Sequence, residues 1–150
     1  ARVEALDKAI AAIDGPVILA AHSAGCLMVA HWAQAHSRPI KAALLATPAD
    51  IERPLPEGYP TIDVLQAQGW LPIPRAALPF RSLVVASTDD PLATLHRVRG
   101  LALDWRSEVE VAGAVGHLNP AAGFGPWPRA RTLLETLERT ERPPLCRFAG

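Results

Sequence analysis

Cysteine is scarce in this chain. Cys26 and Cys146 are the only two among its 150 residues. Two cysteines cannot build a disulfide framework, so a reducing compartment, the cytoplasm, is the expected home. Surplus charge is also missing. Fifteen Lys and Arg balance fifteen Asp and Glu, and no basic stripe runs along the chain. The electrostatic footprint of a nucleic-acid binder is therefore absent. No apolar run is long enough to cross a bilayer, and Ala1-Arg2-Val3-Glu4 does not open the basic-then-apolar pattern of a secretory leader. There are no internal repeats and no low-complexity tracts. No Cys/His cluster has metal-ligand spacing, and no Gly-rich loop could cradle a phosphate. Neither a metal nor another cofactor is expected. What remains is 49% hydrophobic and 20% charged, enough for one folded domain with a substantial core.

Hydrophobic spacing divides that domain. Val3, Leu6, Ile10 and Ile13 recur at helical intervals, and Asp14-Gly15-Pro16 stops the helix. Pro16–Ala20, Lys41–Ala46 and Ser82–Ala86 are short apolar runs of the kind buried on both faces of a parallel sheet. Glu108–Val111 alternates, as a strand near a sheet edge does. Helices are expected at about 24–35, 92–103 and 129–137, the last amphipathic. Between them, residues 48–80 hold seven prolines, Pro48, Pro54, Pro56, Pro60, Pro72, Pro74 and Pro79. That segment reads as a long loop insertion with one short helix near Ile62–Gln68. Alternating strands and helices predict an α/β fold, a mostly parallel sheet with helices on both faces. The domain is expected to span 1–139, followed by a loose tail at 140–150.

Three stretches could carry chemistry. A buried strand runs into Ala21-His22-Ser23-Ala24-Gly25, and a helix follows at once. A nucleophile elbow needs that sequence of elements, with small residues flanking the serine. Ala21 stands where the usual motif has glycine. The Ala24 N–H would sit at a helix N-terminus, able to donate to an oxyanion. The competing reading is an ordinary serine helix cap. Serine needs a base, and His117, in the Gly116-His117 loop after the last strand, is the histidine placed late enough. His31, His36 and His96 fall on helices; His22, beside Ser23, could shape the pocket. Asp89 and Asp90 both follow the third buried strand, where a carboxylate orienting the base would sit. Asp-Asp-Pro is equally good turn chemistry, and spacing prefers neither. Cys26, one turn beyond Ser23, reads as core. The tryptophans read as packing, with Trp70 placed to face a substrate.

Together with Gly123-Phe124-Gly125-Pro126-Trp127-Pro128, these stretches resemble the small α/β-hydrolases grouped with retinoblastoma-binding protein 9 and the bacterial YdeN-like proteins. The likeness runs from about residue 1 to 138. It implies an α/β-hydrolase fold and a Ser-Asp-His triad on Ser23, Asp90 and His117, the acid being the second aspartate of its pair. It also implies that the proline-rich segment 48–80 is a short cap. Members of that family begin upstream with a strand and a glycine-containing loop that supplies the second oxyanion N–H. Here the sequence opens on a helix, so the expected fold lacks its N-terminal strands and half of the oxyanion hole.

The resulting expectation is a serine hydrolase, carboxylesterase-like, acting on a small-molecule ester or acyl substrate, with no nucleic-acid or membrane partner. Two alternatives stand beside it. One is a non-catalytic protein-binding module on the same fold, whose partner no residue pattern identifies. The other is an inactive fragment.

Overall fold

A computed structural model describes residues 1–139; the expected loose tail at 140–150, with Cys146, lies outside them. Five α-helices and four strands follow one another among the described residues. They are α1 (Arg2–Ala11), β1 (Ile18–His22), α2 (Ala24–Ala35), β2 (Ala42–Ala46), α3 (Ile62–Ala67), β3 (Arg81–Ala86), α4 (Leu95–Trp105), β4 (Glu108–Val111) and α5 (Pro128–Arg139). The strands form one parallel sheet in the order β1-β2-β3-β4, with Ile18 opposite Ala42, Ala42 opposite Arg81 and Leu83 opposite Glu108.

Side chains alternate across this sheet, and each face has its own core. Leu19, Ala43, Leu45, Val84 and Ala86 pack beneath α1, α2 and α4 against Leu27, Trp32, Val98 and Trp105. Ala42, Leu44 and Val85 face the other way and are covered by Leu133 and Leu137 of α5. β2 is buried at all five positions, which is why its sequence, Ala-Ala-Leu-Leu-Ala, shows no polar alternation. β4 is an outer strand and keeps the exposed Glu/Val alternation.

Two of the boundaries that differ from the sequence reading follow from strand pairing and helix capping. The first strand runs Ile18–His22 rather than Pro16–Ala20, because its pairing with β2 continues to His22 opposite Ala46. Pro16 has no N–H to contribute. The helix expected from Leu92 begins at Leu95. The Asp90 carboxylate accepts the Leu92 N–H at 2.8 Å, which holds that stretch in a turn, and the Thr94 hydroxyl caps the helix by accepting from Arg97 N.

Because the strands are parallel, the loops that leave them meet at one edge of the sheet. Ser23 follows β1, Thr47 follows β2, Ser87–Asp90 follow β3 and Gly116-His117 follow β4. In open parallel sheets that edge is where ligands bind.

Candidate active site

Ser23 holds φ 57° and ψ −122°, a region that costs a residue with a Cβ about 1–3 kcal/mol. The surrounding bonds hold it there. Its N–H donates to Ala46 O at 3.0 Å and its carbonyl accepts from Cys26 N at 3.1 Å. The turn is tight, yet Ala21 fits it. A Cβ built on Gly25 would lie 3.6 Å from the Ala21 Cβ, an ordinary contact. Alanine in place of the motif's first glycine therefore costs no clash. Ser23 occupies the N-cap position of α2, but its side chain makes no capping bond. The hydroxyl is free for another partner.

That partner is His117. Its Nε2 lies 2.8 Å from Ser23 Oγ, and its Nδ1 lies 2.9 and 3.0 Å from the two Asp90 oxygens. The His117 and Asp90 side chains are almost wholly buried, at 5% and 2% exposure. A carboxylate against Nδ1 fixes the proton there, so Nε2 presents a lone pair to the serine hydroxyl. Three of the residues singled out from the sequence thus converge, from loops after β1, β3 and β4.

The remaining site candidates fall nearby with different partners. Asp89 makes no hydrogen bond to the His117 ring. It accepts the Gly116 N–H at 2.7 Å and the Ser87 hydroxyl at 2.9 Å. His22 Nε2 donates to the His117 carbonyl at 2.7 Å, with the two rings 4.9 Å apart; it does not line the cavity beside Ser23. The Ala24 N–H lies in the first turn of α2, where a helix has no internal acceptor and its dipole is positive. Cys26 is fully buried, its Sγ donates to Ala46 O, and burial pushes its thiol pKa up, so it stays protonated.

Thr47 passed unremarked in the sequence, and Gly116 was noted there only as the neighbour of His117. Thr47 is fully buried with φ 41°, and its hydroxyl donates to the same His117 carbonyl at 3.3 Å. The signal was a threonine closing an otherwise apolar strand at the sheet's carboxyl end. Gly116 is compelled by space: a Cβ there would meet the Ala122 Cβ at 2.7 Å, and its φ is 56°.

Beside Ser23 and Ala24 opens a cavity of about 230 Å³, walled mainly by Ile51, Leu55, Tyr59, Leu65, Trp70 and Leu92. Most of this wall comes from the proline-rich segment. Among the described residues no group of three or more His, Cys, Asp or Glu side chains could hold a metal, and no helix is long and apolar enough to cross a membrane.

A parallel sheet with helices on both faces, a strained serine between the first strand and its helix, and a histidine-carboxylate pair from later loops define the α/β-hydrolase class. Comparison with known proteins narrows it. The sequence model of the serine hydrolase family matches residues 2–136, and the chain belongs to that family. It is 31% identical to a Pectobacterium atrosepticum protein described as a YdeN-like hydrolase, with a TM-score of 0.74 over 91% of this chain and 67% of that one. The ydeN gene product of Bacillus subtilis shares the fold at 17% identity, TM-score 0.69, covering 92% of this chain and 74% of that one. A monoacylglycerol lipase of Paleococcus ferrophilus does so at 14% identity and TM-score 0.64, covering 90% and 73%. No curated protein matches the chain. The family makes the protein a hydrolase of the serine type.

Proposed function

We propose that the protein hydrolyses an ester or related acyl bond through Ser23, His117 and Asp90. The observation that carries this is the unbroken line from Ser23 Oγ to His117 Nε2 (2.8 Å) and from His117 Nδ1 to Asp90 (2.9 Å). Ser23 Oγ attacks the carbonyl carbon while His117 Nε2 takes its proton. The carbonyl electrons move onto oxygen, and the Ala24 N–H donates to the oxyanion. When the intermediate collapses, the bond to the leaving group breaks and the imidazolium protonates the departing alcohol. Water, deprotonated by the same Nε2, attacks the acyl-enzyme; the Ser23 alkoxide leaves and recovers its proton. Asp90 remains ionised and holds the imidazole in the required tautomer.

The backbone around His117 is fastened at two points. Asp89 holds the Gly116 N–H, and His22 and Thr47 hold the His117 carbonyl. In this reading His22 positions the base rather than lining the pocket, and residues 48–80 act as a cap beside the site. A reading as a pure binding module gives no role to a serine held in strained backbone against a histidine-carboxylate pair.

Steady-state hydrolysis of a p-nitrophenyl ester panel tests the proposal. Turnover is expected, with Ser23→Ala and His117→Ala each losing it by as much as roughly 10⁶-fold. Turnover that either substitution leaves at the parent rate contradicts it.

A further inference from the structure

The cavity beside Ser23 has a chemistry of its own, and we infer that it is the acyl pocket for a short to medium, unbranched, uncharged aliphatic chain. This rests on the hydrolase reading of Ser23. Which half of the substrate the cavity takes follows from the residues that touch it. Ser23 and Ala24 line it, but His117 does not. The leaving group must receive its proton from His117 Nε2, so it departs on the His117 side of Ser23. The acyl group instead stays bonded to Ser23 Oγ, with its carbonyl oxygen at the Ala24 N–H, through both half-reactions. A cavity lined by those two residues is on the acyl side.

Its walls set the class of acyl group. Ile51, Leu55, Leu65 and Leu92 make them aliphatic, and Tyr59 and Trp70 add aromatic surface. Arg2 and Gln68 are the other long polar side chains that line it, and no carboxylate or lysine does. Arg2 is an exposed residue whose guanidinium carbon lies 5.2 Å from the Trp70 ring centroid. A carboxylate on the acyl chain would be desolvated against hydrocarbon, and an ion pair with that exposed guanidinium would return too little to offset the cost. The volume sets the length. About 230 Å³ is below the range of pockets that enclose drug-sized ligands. At roughly 30 Å³ for a group the size of a water molecule, it holds about eight such groups. Trp70 is held in its place in the wall: His31 Nε2 bonds the Trp70 carbonyl at 2.9 Å, and its ring meets the Trp70 ring edge-on at 6.4 Å.

The test compares kcat/KM for p-nitrophenyl acetate, butyrate, hexanoate, octanoate and palmitate. Alkyl acetates of rising alcohol length and the adipate half-ester are run alongside. A fluorophosphonate probe counts reactive Ser23 in the same preparation. The account expects kcat/KM to climb about fourfold per methylene, to peak at hexanoate or octanoate and to fall at palmitate. It expects a flatter alcohol series and an adipate half-ester well below hexanoate. Leu55→Trp, at a half-buried loop position in the cavity wall, should move the peak to butyrate or acetate. Labelled Ser23 with a flat acyl profile, a steep alcohol profile, a preference for adipate, or a peak that Leu55→Trp does not move would overturn the pocket assignment alone. Absence of both labelling and turnover would overturn the Ser23 reading, and the pocket with it.

Discussion

Asp89 and Asp90 are adjacent and chemically identical, yet the fold gives them different work. Asp90 is buried against His117 Nδ1 and also holds the Leu92 N–H; Asp89 holds the Gly116 N–H, one residue before the histidine. Spacing left the pair unresolved, because both positions suit a turn, and only the family resemblance pointed to Asp90. The physical reason for the distinction appears when the loop after β4 returns to the end of β3. Asp90→Asn should therefore cost on the order of 10⁴ in kcat, since an amide no longer secures the tautomer. Asp89→Asn leaves that bond in place and only loosens the loop. Its cost should stay near or below about 10², the scale of a 1 Å misplacement. Steady-state kinetics on one ester, with circular dichroism to establish folding, checks both. Equal losses would mean that the two carboxylates do not divide the work in this way.

The strands and helices were largely legible because a parallel sheet buries its strands on both faces and leaves runs such as Ser82–Ala86 without polar interruption. The proline-rich insertion was legible as an insertion but not as a wall. Its arrangement depends on ion pairs distant in sequence. Arg97 of α4 bonds Asp50 and Glu52, and Arg75 bonds Glu52 and Asp104. Trp105 Nε1 also donates to Pro74 O at 2.8 Å. Both ends of the insertion are thus fastened to α4, while 53–70 lean over the cavity. Arg97→Ala should free the Asp50–Glu52 end. A glutamate-specific endoprotease should then cut after the exposed Glu57 faster than in the parent, and KM for a hexanoate ester should rise more than kcat falls. An unchanged cleavage rate would show that these pairs do not hold the insertion.

Across the whole molecule, α1 is tied to the rest by a polar contact as well as by packing. Asp7 accepts from Arg38 at 2.7 and 2.9 Å and from Trp32 Nε1 at 3.1 Å. The Arg38 bonds hold its carboxyl well below the usual carboxylate range; burial opposes them and the Trp32 bond adds to them. At Glu52 burial pushes upward, but the bonds from Arg75 and Arg97 outweigh it and the shift is again downward. Carboxyls lowered in the folded state stabilise it above their unfolded pKa values, about 4. That contribution is lost as pH falls through the folded values. The melting temperature should hardly change through these groups between pH 7 and 5, then fall below about pH 4. Asp7→Asn should lower it at pH 7 and flatten the acid limb. An acid limb identical in Asp7→Asn and the parent would remove Asp7 from the explanation.

The same scale carries the central claim, because it takes the whole parallel sheet to bring Ser23, Asp90 and His117 to one edge from positions spread over most of the chain. The most direct measurement of that arrangement is mass-spectrometric mapping of the adduct formed with a fluorophosphonate. The account predicts one adduct, on Ser23, absent in Ser23→Ala and strongly slowed in His117→Ala. An adduct on another residue, or labelling at the parent rate in either variant, would contradict it.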